Sequence, residues 1–199
     1  MDRLAKEGML FTDHYSGSTV CAPSRAVLLT DLHSGRAFIR SNGNDLQLRK
    51  DPEDLTIGKY MQDAGYATAM IGKGSSGCDN TVGHINDKGF DYFYGYLGHG
   101  QAHSFFPKFL HRNKEQIDFP NNGGSQTWRG EVYSADLILD EALGYIEDKK
   151  EEPFFLMYAS TLPHAQMWVP EKYKEGYKGQ FEETPFTSKN QGKNILIMA

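Results

Sequence analysis

The sequence is short of cysteine, of long apolar runs and of basic charge, and each shortage removes a class of protein. Only two cysteines, Cys21 and Cys78, occur in 199 residues. At most one disulfide is available, so a disulfide-stapled scaffold is excluded, and neither cysteine has the paired spacing of a zinc site. No run approaches the roughly 18–20 apolar residues that span a bilayer, and the first eight residues lack the apolar core of a signal peptide. Lys and Arg number 21 against 26 Asp and Glu, a formal charge of −5. Such a chain has no basic stripe to follow a phosphate backbone, which argues against nucleic acid as a partner, as the missing apolar run argues against membrane. Repeats and low-complexity tracts are also missing.

What remains is an ordinary globular composition, 39% hydrophobic, and a chain of this length buries roughly 70% of its surface without staples. Residues 1–8 read as the last turns of a helix closing at Gly8 with no cap ahead, which predicts that more chain precedes it. Residues 9–12 predict a short strand. Pro23 is expected to open a helix that continues through Ala26, Val27, Leu28 and Leu29. Residues 31–50 read as a surface loop. Leu55, Ile57, Tyr60, Met61 and Ala64 have helical spacing, with Gly65 as the cap, and residues 66–71 form a strand running into a glycine-rich loop. Residues 78–130 show no period, only an aromatic cluster at 90–96 that reads as core. Residues 129–149 give the strongest helix, on the stripe Val132, Ala135, Ile138, Leu139, Ala142, Leu143 and Ile146; residues 153–159 follow as a buried strand. Helix, strand and polar loop repeat. This predicts an α/β fold, a mostly parallel central sheet flanked by helices, with the site beyond the carboxyl ends of the strands.

Three loops converge there, carrying Cys21 with Arg25, Lys73, and His164. Cys21 at a helix start with Arg25 one turn on would welcome an anion, because free N–H groups and a guanidinium hold sulfate or phosphate. The competing reading is a small buried cysteine and a solvated arginine; spacing alone does not separate the two.

The segment Cys21-Ala22-Pro23-Ser24-Arg25-Ala26-Val27-Leu28-Leu29-Thr30 resembles the signature of the type I sulfatases, of the alkaline-phosphatase-like superfamily. Gly65-Tyr66-Ala67-Thr68-Ala69-Met70-Ile71-Gly72-Lys73 looks like the family's strand ending in a sulfate-site lysine. Leu4-Ala5-Lys6-Glu7-Gly8, Gly89-Phe90-Asp91-Tyr92-Phe93-Tyr94-Gly95-Tyr96, and Pro153-Phe154-Phe155-Leu156 leading to Leu162-Pro163-His164 are similar to further family stretches. The resemblance covers residues 1–175, a partial N-terminal catalytic domain truncated at both ends, and leaves 176–199 as an irregular tail.

The resemblance implies hydrolysis of sulfate monoesters, with a sulfated small molecule or sugar as substrate. It implies that a separate formylglycine-generating enzyme oxidises Cys21 to Cα-formylglycine, whose hydrate is the nucleophile, and that Ca2+ binds the oxygen at that position and lowers its pKa. Lys73 and Arg25 would neutralise the ester oxygens, and His164 would bind sulfate or protonate the leaving alcohol. His103 reads either as a core histidine or as a second sulfate contact. His14, His33, His84, His99 and His111 stand in no motif, and Cys78 reads as structural. Trp128 and Trp168 read as core or as sugar-stacking aromatics.

The chain departs from the family pattern in three places. The Asp-Asp and Asp-Asn pairs that complete the calcium site are expected upstream of Met1 and beyond Pro170. Gly74-Ser75-Ser76 follows Lys73 where Trp and a sulfate-site His are usual. Asp31 stands where the signature ends in Gly, which predicts a disturbed turn. Relatives are exported or lysosomal. Two alternatives stay open: a non-catalytic remnant that binds an anion, and a phosphodiesterase or phosphonate hydrolase of the same superfamily.

Overall fold

The computed structural model describes residues 2–43, 46–124, 129–164 and 169–180. Trp128, Trp168 and the tail from 181 onward lie outside the described residues.

Five strands form one sheet: β1 (Ala67–Lys73), β2 (Tyr92–Tyr96), β3 (Phe109–Arg112), β4 (Glu115–Asp118) and β5 (Phe154–Ala159), in the order β4-β3-β2-β1-β5. β1 pairs in parallel with β2 and with β5, in the registers Gly72↔Gly95 and Gly72↔Ala159. β3 and β4 add an antiparallel edge. The sheet is therefore mixed, parallel only at β2-β1-β5. The antiparallel hairpin lies in the stretch where no period is visible, because two four-residue strands are too short to show one. Asn113 makes its turn in the left-handed region at φ 53, and its Oδ1 accepts from Phe93 N–H at 2.9 Å.

Helices cover both faces. The α-helices bounded within the described residues are α1 (Asp2–Glu7), α2 (Cys21–Thr30), α3 (Ile57–Asp63), α4 (Ser134–Lys149) and α5 (Glu171–Lys174). Alternate residues of each strand point to opposite faces. Met70 and Phe93 pack with Ala22, Ala26 and Leu29 of α2, while Ile71, Tyr94 and Tyr96 pack with Ile138 and Ala142 of α4.

Several boundaries differ from expectation for local reasons. Residues 9–12 form no strand, and Met9, Leu10 and Phe11 are exposed. Helix α2 begins at Cys21, two residues before Pro23, which sits in the first turn where a missing N–H costs nothing. Helix α3 begins only at Ile57. The buried Asp54 carboxylate accepts from Arg49 N, Nε and Nη2 at 2.7, 3.2 and 2.7 Å, which fixes a turn there, and Thr56 Oγ1 caps the helix by accepting from Lys59 N–H. Helix α4 begins at Ser134, and Leu139, Leu143 and Ile146 of its stripe are exposed by two-fifths or more. Asp31 makes the closing turn of α2 itself: it takes φ 55 and donates its N–H to Val27 O at 2.9 Å. Asp is among the few residues that tolerate this conformation, so the turn is formed without glycine.

Two glycines are required where β1, β2 and β5 meet. Gly72 has φ 122 and Gly95 has φ 141; a Cβ on Gly72 would lie 2.1 Å from Ala159 O, and one on Gly95 would lie 1.9 Å from Gly72 O. The three backbones approach more closely than any side chain allows.

Candidate active site

The carboxyl ends of the parallel strands and the start of α2 meet at one place. Lys73 is the last residue of β1, His99 and His103 follow β2, and His164 follows β5. Cys21 is the first residue of α2 and half-buried.

Asn42 joins the loop before α3 to the start of α2. Its Oδ1 accepts from Ala22 N–H at 3.0 Å, satisfying one of the helix's open donors, which turns Nδ2 toward Cys21 Sγ at 3.5 Å. On its other side Sγ lies 3.4 Å from His99 Nε2. His99 meets His103 edge to face, with ring centroids 5.6 Å apart, and His103 stacks on His164 at 4.1 Å and 23°. The sulfur and one ring nitrogen each of His99 and His103 lie within 4.8 Å of one another.

The Lys73 side chain is 3% exposed, and its Nζ has no hydrogen-bond partner. Burial holds its pKa below the ordinary lysine range; the charge of Cys21 opposes that shift and Arg25 adds to it. Arg25 is also lowered by burial, against the pull of Cys21, and its Nη1 donates to the Lys73 carbonyl at 2.9 Å. The imidazoles are shifted down as well. Burial, then His164, Lys73 and His99, takes His103 to about 4. His99 is lowered by burial, Lys73, Arg25 and His164, and His164 by burial and Lys73. All three rings are therefore shifted toward the uncharged form, and the Lys73 amine is a buried basic group whose opposing charge is Cys21. Such a group is costly unless an anion pairs with it.

A cavity of about 210 Å3 opens beside His99, lined also by Gly43, Leu46, Ser75, Cys78 and Leu97. Ser75 Oγ lies buried without a partner. A larger groove, about 740 Å3, runs between α4 and the start of β1 and β2. It is at the far end of the strands, and its polar groups satisfy each other: Glu141 accepts from Tyr92 Oη and from Arg112.

The structure thus brings Cys21, Arg25, Lys73, His103 and His164 to one site. It adds His99 and Asn42, which sequence reasoning missed. The only local sign of His99 is its position between Gly98 and Gly100, directly after an aromatic strand. Calcium wants about six to eight oxygen donors. Among the described residues, those around Cys21 bring sulfur and imidazole nitrogen, and the Asn42 amide oxygen is engaged by Ala22. That donor set does not fit calcium.

A mixed sheet between helices, with a half-buried thiol and a buried cation at its carboxyl end, is an alkaline-phosphatase-like α/β architecture. The chain belongs to the sulfatase family: the family model described as Sulfatase matches residues 1–192. The N-acetylglucosamine-6-O-sulfatase of Bacteroides thetaiotaomicron is 30% identical over 174 residues, covering 85% of this chain and 26% of that enzyme. The structure of BT4656 in complex with its substrate D-glucosamine-2-N,6-O-disulfate superposes with a TM-score of 0.65 at 28% identity, over 92% of this chain and 33% of the other. The structure of Ps i-CgsB in complex with k-i-k-neocarrahexaose shares the fold, with a TM-score of 0.72 at 23% identity, over 91% of this chain and 43% of the other. The chain thus spans between about a quarter and a little over two-fifths of the length of these relatives.

Proposed function

We propose that the protein hydrolyses sulfate monoesters at the site around Cys21, and that a sulfated sugar is its substrate. The observation that carries the reading is the buried Lys73 amine, which makes no hydrogen bond and has Cys21 as its opposing charge. Once position 21 is no longer a thiol that opposing charge is gone, and a sulfate group replaces it through charge-assisted hydrogen bonds. The substrate class is supported by the two sugar-directed relatives, the N-acetylglucosamine-6-O-sulfatase and BT4656 with its disulfated glucosamine.

Cys21, oxidised by a separate formylglycine-generating enzyme, would supply as the hydrated aldehyde one hydroxyl to attack sulfur and a second to release the sulfate. The chain's own residues do the rest. Lys73 holds the anionic oxygens and offsets the charge that grows on them in the transition state. Arg25 holds the end of β1, and with it the backbone from which Lys73 projects. Asn42 and His99 flank the atom at position 21 and fix its direction. His164 binds sulfate or, when protonated, donates to the leaving alcohol, and His103 keeps the His164 ring in place by stacking. The cavity beside His99, with the unpartnered Ser75 hydroxyl in its wall, offers space and a polar contact to the leaving group.

The test expresses the chain together with a formylglycine-generating enzyme. The peptide containing residue 21 is weighed, inorganic sulfate is titrated calorimetrically, and aryl sulfate and aryl phosphate are offered as substrates. Formylglycine at position 21, with sulfate binding that disappears in Lys73→Ala, supports the reading. An unmodified thiol with no sulfate binding overturns it, and turnover of aryl phosphate in preference to aryl sulfate replaces it with a phosphoesterase.

A further inference from the structure

The atoms gathered at Cys21 are unsuited to calcium and suited to a different kind of ion. We infer that the chain, while position 21 is still a thiol, binds one borderline divalent transition metal, with zinc as the reference, through Cys21 Sγ, His99 Nε2 and a ring nitrogen of His103. This inference does not rest on the sulfatase reading; it needs the thiol, whereas that reading needs the thiol's oxidation product.

The geometry is close to a ligand set. Tetrahedral zinc has bonds of about 2.3 Å to thiolate sulfur and about 2.0–2.1 Å to imidazole nitrogen, which places its donors about 3.3–3.6 Å apart. Cys21 Sγ and His99 Nε2 are already 3.4 Å apart, and the third donor lies within 4.8 Å of both. His103 therefore needs to move by at most about 1 Å. Its Nε2 is buried without a hydrogen-bond partner, so the movement breaks no hydrogen bond at that atom. Sulfur and imidazole nitrogen favour zinc and its neighbours in the first transition row over calcium or magnesium.

The three donors come from the start of α2 and from the loop after β2, brought together by the fold. That is why two isolated cysteines, without the paired spacing of a zinc motif, say nothing of this site. Lys73 and Arg25 stand nearby and weaken any cation there. One thiolate cancels one charge of the ion, and a fourth position open to water or an anion would place negative charge next to those two side chains. Three protein ligands and one open position is the pattern of a reactive zinc centre rather than a structural one.

The test uses the chain expressed without a formylglycine-generating enzyme, with the thiol at position 21 verified by mass. Co2+ is added as the probe. One equivalent is expected to bind, with a thiolate-to-cobalt charge-transfer band in the near ultraviolet and the strong visible bands of four-coordinate cobalt, both displaced by Zn2+. The charge-transfer band should be lost in Cys21→Ser, lost or markedly weakened in His99→Asn and His103→Asn, and kept in Cys78→Ser. Failure to take up cobalt, uptake without the thiolate band, a band that follows Cys78, or a band that survives both histidine changes would each overturn the site. A histidine change can also unfold the chain, so a second measurement uses the unaltered protein. Zn2+ should slow alkylation of Cys21, and Ca2+ at the same concentration should not; equal rates with and without Zn2+ would also sink the proposal. Cobalt silence with an intact thiol leaves the sulfatase reading standing. Cobalt binding in a chain that never acquires formylglycine leaves only the metal site.

Discussion

Arg25 donates from Nη1 to the main-chain carbonyl of Lys73 across 2.9 Å, so the second turn of α2 and the last residue of β1 are held by one charge-assisted hydrogen bond. The two segments that most resemble family signatures therefore meet through a side chain of one and the backbone of the other. Arg25→Ala removes the donor and leaves that carbonyl without it, at a cost of about 1–3 kcal/mol. Denaturant unfolding should show this loss, and calorimetry should show weaker sulfate binding with Lys73 still present.

Lys73 gives a different signature. Its amine is buried and makes no hydrogen bond, and an apolar group of similar volume there removes the cost of burying a charge. Lys73→Met is expected to raise the melting temperature while abolishing sulfate binding. A variant that melts lower and still binds sulfate would show that the amine serves packing.

Gly72→Ala sets a Cβ against Ala159 O at 2.1 Å, at a φ of 122 that side-chain-bearing residues avoid. Strain and overlap together should cost about 3 kcal/mol or more. Circular dichroism and thermal melting of the soluble fraction check this. Gly65→Ala, where φ is 86 but a Cβ meets nothing within 4 Å, should cost less.

Asp54 supplies the pH dependence. Burial raises its pKa, but the side-chain and backbone hydrogen bonds and the charge of Arg49 outweigh burial, and the folded value lies below the ordinary carboxylate range. The group therefore binds a proton more readily in the unfolded chain. Its contribution is fully present above the unfolded value of about 4 and is lost as pH falls through the lower folded value. Asp54→Asn should cost about 2 kcal/mol at neutral pH, with the gap from the unaltered chain narrowing below pH about 4. Denaturant titrations at pH 7 and at acid pH measure both.

Much of the site was legible because its residues lie in contiguous segments. Cys21 and Arg25 lie one turn apart on one helix, Lys73 closes a recognisable strand, and His164 follows another. His99 and Asn42 were not legible, since each reaches Cys21 only through tertiary folding and neither lies in a periodic segment. The sheet was read as mostly parallel because β1 and β5 are apolar runs with helical neighbours. The antiparallel pair β3 and β4 escaped because four residues cannot display alternation. Residues 9–12 misled in the opposite direction: Met9, Leu10 and Phe11 have strand composition, yet no strand in the described sheet pairs with them. The α4 stripe predicted a helix correctly, but Leu139 and Leu143 are exposed, so periodicity marked the helix without marking the full width of its buried face.

The pairing of β1 with β5 also governs the order of assembly. It joins two strands with all of residues 74–153 between them, whereas β3 and β4 pair across a tight local turn. Long-range parallel pairing forms slowly, because the entropy of closing so large a loop is lost before any contact rewards it. His164 sits just past β5, so it reaches the other histidines only when that pairing is complete. During refolding, the ring stack of His103 and His164 should be among the last features to appear, and sulfate affinity should develop with the slow phase.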